Sequence, residues 1–97
     1  MTESFTRWDP LNYLKTDEDF RLYLEACAEE DPGDGSLIRA ALKDIARAQN
    51  FSALARETGM TREGLYKALS KDGNPSFATI AKITRVLGMR LHITAAQ

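Results

Sequence analysis

The residues best suited to chemistry lie between positions 61 and 67: Thr61, Arg62, Glu63, Tyr66 and Lys67. Arg62 carries a planar fork of N–H donors that fits a guanine edge, and Glu63 can accept from the amino group of cytosine. Tyr66 offers a ring to a thymine methyl and a hydroxyl to a phosphate, while Lys67 supplies a point charge suited to phosphate. On a helix these side chains point away from Leu65 and Leu69, so one face reads while the other anchors.

Catalysis and metal binding find much less material. Cys27 sits on an apolar helical stripe and His92 on an expected strand; no Ser/His/Asp set or carboxylate pair shares a local segment. One cysteine and one histidine cannot complete a tetrahedral zinc site within one chain. No enzyme, metal or cofactor is therefore expected. The lone Cys27 also rules out an internal disulfide, which fits a reducing cytoplasm. No secretory leader and no apolar run approaching the roughly 18 residues of a membrane span are visible.

Charge is divided unevenly along the chain. Residues 1–35 hold three basic groups against ten acidic ones, whereas residues 36–97 hold ten basic groups against four acidic ones. The first part carries −7 and the second +6, which together give the net charge of −1. A basic module attracts polyanions, and an acidic segment repels them. The acidic segment could instead dock on the basic part of its own chain. This predicts two parts: an acidic helical N-terminal arm over 1–35 and a DNA-binding domain over 36–97.

The elements that position these residues follow from caps and periodicity. Asp9-Pro10 opens a short helical piece. Thr16 and Asp19 form a capping box for a helix whose stripe is Phe20, Tyr23, Leu24 and Cys27, ending near Glu30. The run Asp31-Pro32-Gly33-Asp34-Gly35 breaks the chain. Ser36 is expected to cap a helix with Leu37, Ile38, Ala41, Leu42, Ile45 and Ala48 inward, and with Arg39, Lys43 and Arg47 on a solvated side. Ser76 caps a last helix with Phe77, Ile80, Ala81, Ile83 and Leu87 inward, ended by Gly88. Met89, Leu91 and Ile93 then alternate with polar residues as a short C-terminal strand over Met89–Thr94.

Between these helices, Phe51–Ser70 matches a helix-turn-helix. The close crossing requires a small residue inside the first helix, supplied by Ala55, and a turn with positive φ four residues later, supplied by Gly59. Ser52 and Thr61 stand where N-caps belong, and Leu65, Ala68 and Leu69 form the inner face of the second helix. Ser52, at the start of the first helix, would meet a phosphate, as would Lys67. Lys71 and Asn74, in the loop that follows, lie beside the groove. Gly64 interrupts a helix at a cost of about 1 kcal/mol, which suggests a close approach to DNA or to the preceding helix.

The run Leu54-Ala55-Arg56-Glu57-Thr58-Gly59-Met60-Thr61-Arg62-Glu63-Gly64-Leu65-Tyr66-Lys67-Ala68-Leu69-Ser70, then Gly73-Asn74-Pro75-Ser76-Phe77-Ala78-Thr79, resembles the probable addiction-module antidote proteins. These belong to the wider Xre/Cro-type helix-turn-helix class, and the opening Asp9-Pro10…Tyr13-Leu14 matches too, so the resemblance covers nearly the whole chain. It implies an all-α fold and a cytoplasmic bacterial antitoxin. It further implies a RelE-like ribonuclease toxin as partner and double-stranded DNA of its own operator as the second ligand. A plain regulator without a toxin, or a helical scaffold that binds only protein, are the alternatives. A single helix-turn-helix reads few base pairs, so a homodimer is expected, and pairing of the unpartnered C-terminal strand with its copy would build it.

Overall fold

Helix starts are decided by side chains that satisfy the first free N–H groups. The computed structural model describes residues 13–70, 72–93 and 95. They form α1 (Asp17–Glu30), α2 (Ser36–Gln49), α3 (Phe51–Thr58), α4 (Arg62–Ala68) and α5 (Phe77–Val86). The four helices expected between residues 36 and 88 are all present. The short piece opened by Asp9-Pro10 lies outside the described residues.

At α1 the capping box forms as expected. Thr16 Oγ1 accepts from the Asp19 amide at 3.1 Å, and Asp19 Oδ2 accepts from the amides of Lys15 at 3.0 Å and Thr16 at 3.1 Å. The Lys15 and Thr16 donors hold the Asp19 carboxyl below its ordinary range. Phe20 is buried, with Tyr23 and Leu24 packed beside it.

The break before α2 is built differently from expectation. Gly35, not Ser36, occupies the N-cap, with φ of +80° and no capping side chain of its own. Asp31 does the capping from a distance. Its Oδ2 accepts from Gly33 N and Gly35 N, both at 2.8 Å, and its Oδ1 from Leu37 N at 2.8 Å and Ile38 N at 3.3 Å. Desolvation alone would raise the Asp31 carboxyl, but these four donors outweigh it and hold it below the usual range.

The core forms one cluster. Leu42, Ile45, Leu65, Leu69 and Ile83 are fully buried, and Leu14 and Phe20 from the acidic side join them together with Leu54, Ala55 and Leu87. Each large apolar side chain contributes about 1.5–3 kcal/mol by leaving water. A further tie runs from α1 to α2, where Tyr23 Oη donates to Asp44 Oδ2 at 2.6 Å. Burial, and then this bond to a carboxylate, push the Tyr23 phenol far above its ordinary value.

Two inward assignments need correction. Leu37 is 37% exposed and Phe77 70% exposed. Both stand in the first turn of their helix, where the stripe has run past the edge of the core. Ala46 is buried instead.

The C-terminal strand is also absent: residues 89–93 carry no regular secondary structure, and Thr94 lies outside the described residues. A strand exists only by pairing, and there is no strand among the described residues to receive this one. Met89 is used otherwise, its amide closing the end of α5 on Thr84 O at 2.9 Å beside Gly88. Among the described residues no helix is long and apolar enough to cross a membrane.

Candidate nucleic-acid interface

Helices α3 and α4 are joined by the three-residue turn Gly59-Met60-Thr61. Ala55, on α3, is 2% exposed, which allows the near approach of its neighbours. Gly59 has φ of +78°, a conformation in which a Cβ would meet the following carbonyl. Its amide bonds to Arg56 O at 3.1 Å and that of Met60 to Ala55 O at 2.9 Å, so the last carbonyls of α3 are satisfied as the chain reverses.

Thr61 then opens α4 as expected, its Oγ1 accepting from Gly64 N at 2.9 Å. A Cβ on Gly64 would lie 3.0 Å from that same hydroxyl. The close approach suspected at Gly64 is therefore to the helix's own cap. Ser52 does not cap α3: Asn50 does, its Oδ1 accepting from Ala53 N at 2.9 Å. Ser52 is the second residue of α3 and exposed.

Leu65 and Leu69 are at most 1% exposed, while Glu63, Tyr66 and Lys67 are exposed around the rest of the helix; Arg62, three residues before Leu65, lies on the same side as Leu65 and Leu69 and is exposed as the first residue of α4. Burial of Leu65 and Leu69 thus fixes the rotation of α4 and presents Glu63, Tyr66 and Lys67 outward, with Thr61 and Arg62 at the exposed start. Asn74 is exposed in the loop before α5. Lys71 lies outside the described residues.

The face is held by contacts that periodicity does not show. The Tyr66 ring meets the edge of Phe51 at 6.0 Å between centroids, and Lys43 Nζ lies 4.6 Å from the centre of the Tyr66 ring. The Arg62 guanidinium lies 5.7 Å from the centre of the Phe51 ring. Such cation–π contacts contribute about 0.5–1 kcal/mol at exposed sites. Arg39 Nε bonds to Ser70 O at 3.3 Å. The Arg39 and Lys43 part of the basic stripe, read as a solvated side of α2, therefore adjoins α4 and adds positive charge to its surroundings. Phe51, Lys43 and Arg39 were the residues sequence reasoning passed over. The four-residue spacing of the stripe was the available signal.

The comparisons with known proteins extend this picture. A family model described as a probable addiction module antidote protein matches residues 4–95. An uncharacterized protein of Haemophilus influenzae is 45% identical over 93 residues, covering 96% of this chain and 94% of the relative. No solved structure matches the chain. A match across nearly the whole length, including α3, α4 and their turn, places the chain by all of its elements at once: it belongs to the probable addiction module antidote protein family.

Proposed function

We propose that this chain is a non-enzymatic antidote that neutralises a toxin and binds the DNA of its own operator to repress the operon. The observation that carries the DNA half is the exposure of Arg62, Glu63, Tyr66 and Lys67 on a helix anchored by Leu65 and Leu69, with Arg62 at its N-terminal end. Here α3 and α4 act as a helix-turn-helix of the Xre/Cro class, and α4 enters the major groove by its N-terminal end. Thr61, Arg62, Glu63 and Tyr66 meet base edges, while Ser52, Lys67, Lys71 and Asn74 meet the backbone.

Family membership supports the toxin half, and the resemblance noted above supports a RelE-like toxin as the poison. The division of labour follows charge: residues 36–97 serve DNA and the acidic residues 1–35 serve the protein partner. The chain acts in the cytoplasm. It works as a homodimer, since two recognition helices about 34 Å apart are needed to read successive turns of the groove.

Sequencing the genomic fragments that the purified protein retains tests the reading. Enrichment of one paired site upstream of its own reading frame is the expected result; retention spread evenly over the genome contradicts it.

A further inference from the structure

The outward side of α1 takes no part in the core or in the face of α4. Its Leu22 is 51% exposed, and it stands beside Tyr13 at 44% and Leu37 at 37%. These three share a shallow groove of about 530 Å³ with Ala26, Cys27 and Glu30. Large apolar side chains gathered in this way are unusual on a surface that meets only water.

Two carboxylates, Asp19 and Glu30, line the groove itself, and the helix that bears them is acidic throughout. Helix α1 carries six carboxylates and a single basic residue, Arg21. Arg21 is occupied with Glu18 at 2.8 Å and Glu25 at 3.0 Å. Glu29 and Glu30 sit in the last turn, where no basic residue accompanies them, and neither has an ion-pair partner among the described residues. Carboxylates at a helix C-terminus oppose the helix dipole and cost stability. Folding therefore does not account for them, and a cationic partner does.

We infer that this acid-rimmed apolar groove on α1 is the docking surface for the toxin, met by a basic protein face that presents an apolar side chain to Leu22. The inference rests on the antidote reading above and names the surface that reading requires. Phosphate and anionic lipid are repelled by the same carboxylates. A second copy of this chain, through its own basic part, is the competing occupant.

The test uses the full chain and the purified product of the reading frame adjacent to its gene. Glu29→Lys with Glu30→Lys reverses the charge at the C-terminal end of the groove, and because lysines suit a helix C-terminus the melting temperature should not fall. Leu22→Gln removes the exposed anchor without touching the core. At about 0.1 M salt this charge reversal should weaken binding tenfold or more and flatten its salt dependence. Leu22→Gln should weaken it by roughly tenfold with the salt dependence unchanged.

Binding within twofold of wild type for both variants overturns the surface. So does loss of self-association in sedimentation with toxin binding intact, which assigns the groove to a second copy. Failure of the wild-type chain itself to bind the neighbouring product overturns the antidote reading as well.

Discussion

Replacing Gly73 by alanine separates steric from conformational demands in the loop that leaves α4. A Cβ at this position would stand 2.5 Å from both Lys67 O and Ala68 O and 2.9 Å from Ala68 C. These are backbone atoms at the end of α4, so no side chain can swing aside. Either the last turn of α4 or the loop must move. Overpacking of this kind costs about 1–3 kcal/mol, offset by about 0.4–1 kcal/mol because alanine restricts the unfolded chain. With two backbone contacts at 2.5 Å the upper half of that range applies, and the net loss of about 1–2.6 kcal/mol corresponds to a melting temperature lower by about 4–21 °C in a chain of this size.

Gly64→Ala is the control. Its Cβ meets only the Thr61 hydroxyl at 3.0 Å, and a helix-propensity gain of about 1 kcal/mol opposes any loss of that cap, so stability should change less than in Gly73→Ala. Circular-dichroism melts of both variants in one buffer are the assay. Gly73→Ala melting at or above wild type would refute the close approach and, with it, the path of the chain from α4 to α5.

Two further outcomes follow from the titrating groups. The amide donors hold Asp31 and Asp19 below their ordinary values. The stability they supply is thus complete above the ordinary aspartate pKa of about 4 and is lost as pH falls below it. Asp31→Asn should lower the melting temperature at neutral pH and flatten the acid fall, and an unchanged acid limb would count against the capping role. Tyr23→Phe removes the 2.6 Å bond to Asp44 and should cost about 1–2 kcal/mol in denaturant unfolding. Because the Tyr23 phenol is raised, its stability is complete below about pH 10 and is lost as pH climbs toward the folded value. The variant should lack that alkaline loss, and a melting curve identical to wild type at every pH would exclude the bond.

Regular periodicity made most of the fold legible. The stripe of α2 and the inner face of α4 appear in the structure where the spacing of Leu42, Ile45, Leu65 and Leu69 puts them. Caps were legible at Thr16, Thr61 and Ser76, whereas at α3 the cap was placed on Ser52 and Asn50, two residues earlier, takes it. The cap of α2 was not legible because its capping residue lies further away. Asp31 reaches across a turn to Leu37 and Ile38, and a serine in sequence looks the same whether it caps or begins a helix.

Phe77 was misplaced because periodicity knows the face of a helix but not where the core ends along its axis. The strand over Met89–Thr94 was inferred from alternation, which describes a face without supplying a neighbour to bond it. For the candidate interface, the rotation of α4 was readable. Its support by Phe51 and Lys43 was not, since both contacts cross between helices.

The claim at the centre of this account is that α4 reads DNA. Fluorescence-anisotropy titration of labelled duplex from upstream of the chain's own reading frame, over a series of salt concentrations, tests it most directly. Arg62→Ala should weaken specific binding by roughly 1–3 kcal/mol and leave binding to unrelated duplex almost unchanged. Lys67→Ala should weaken both and reduce the salt slope by about one unit. Equal affinity of wild type and a variant carrying both Arg62→Ala and Lys67→Ala for the upstream duplex would contradict the claim.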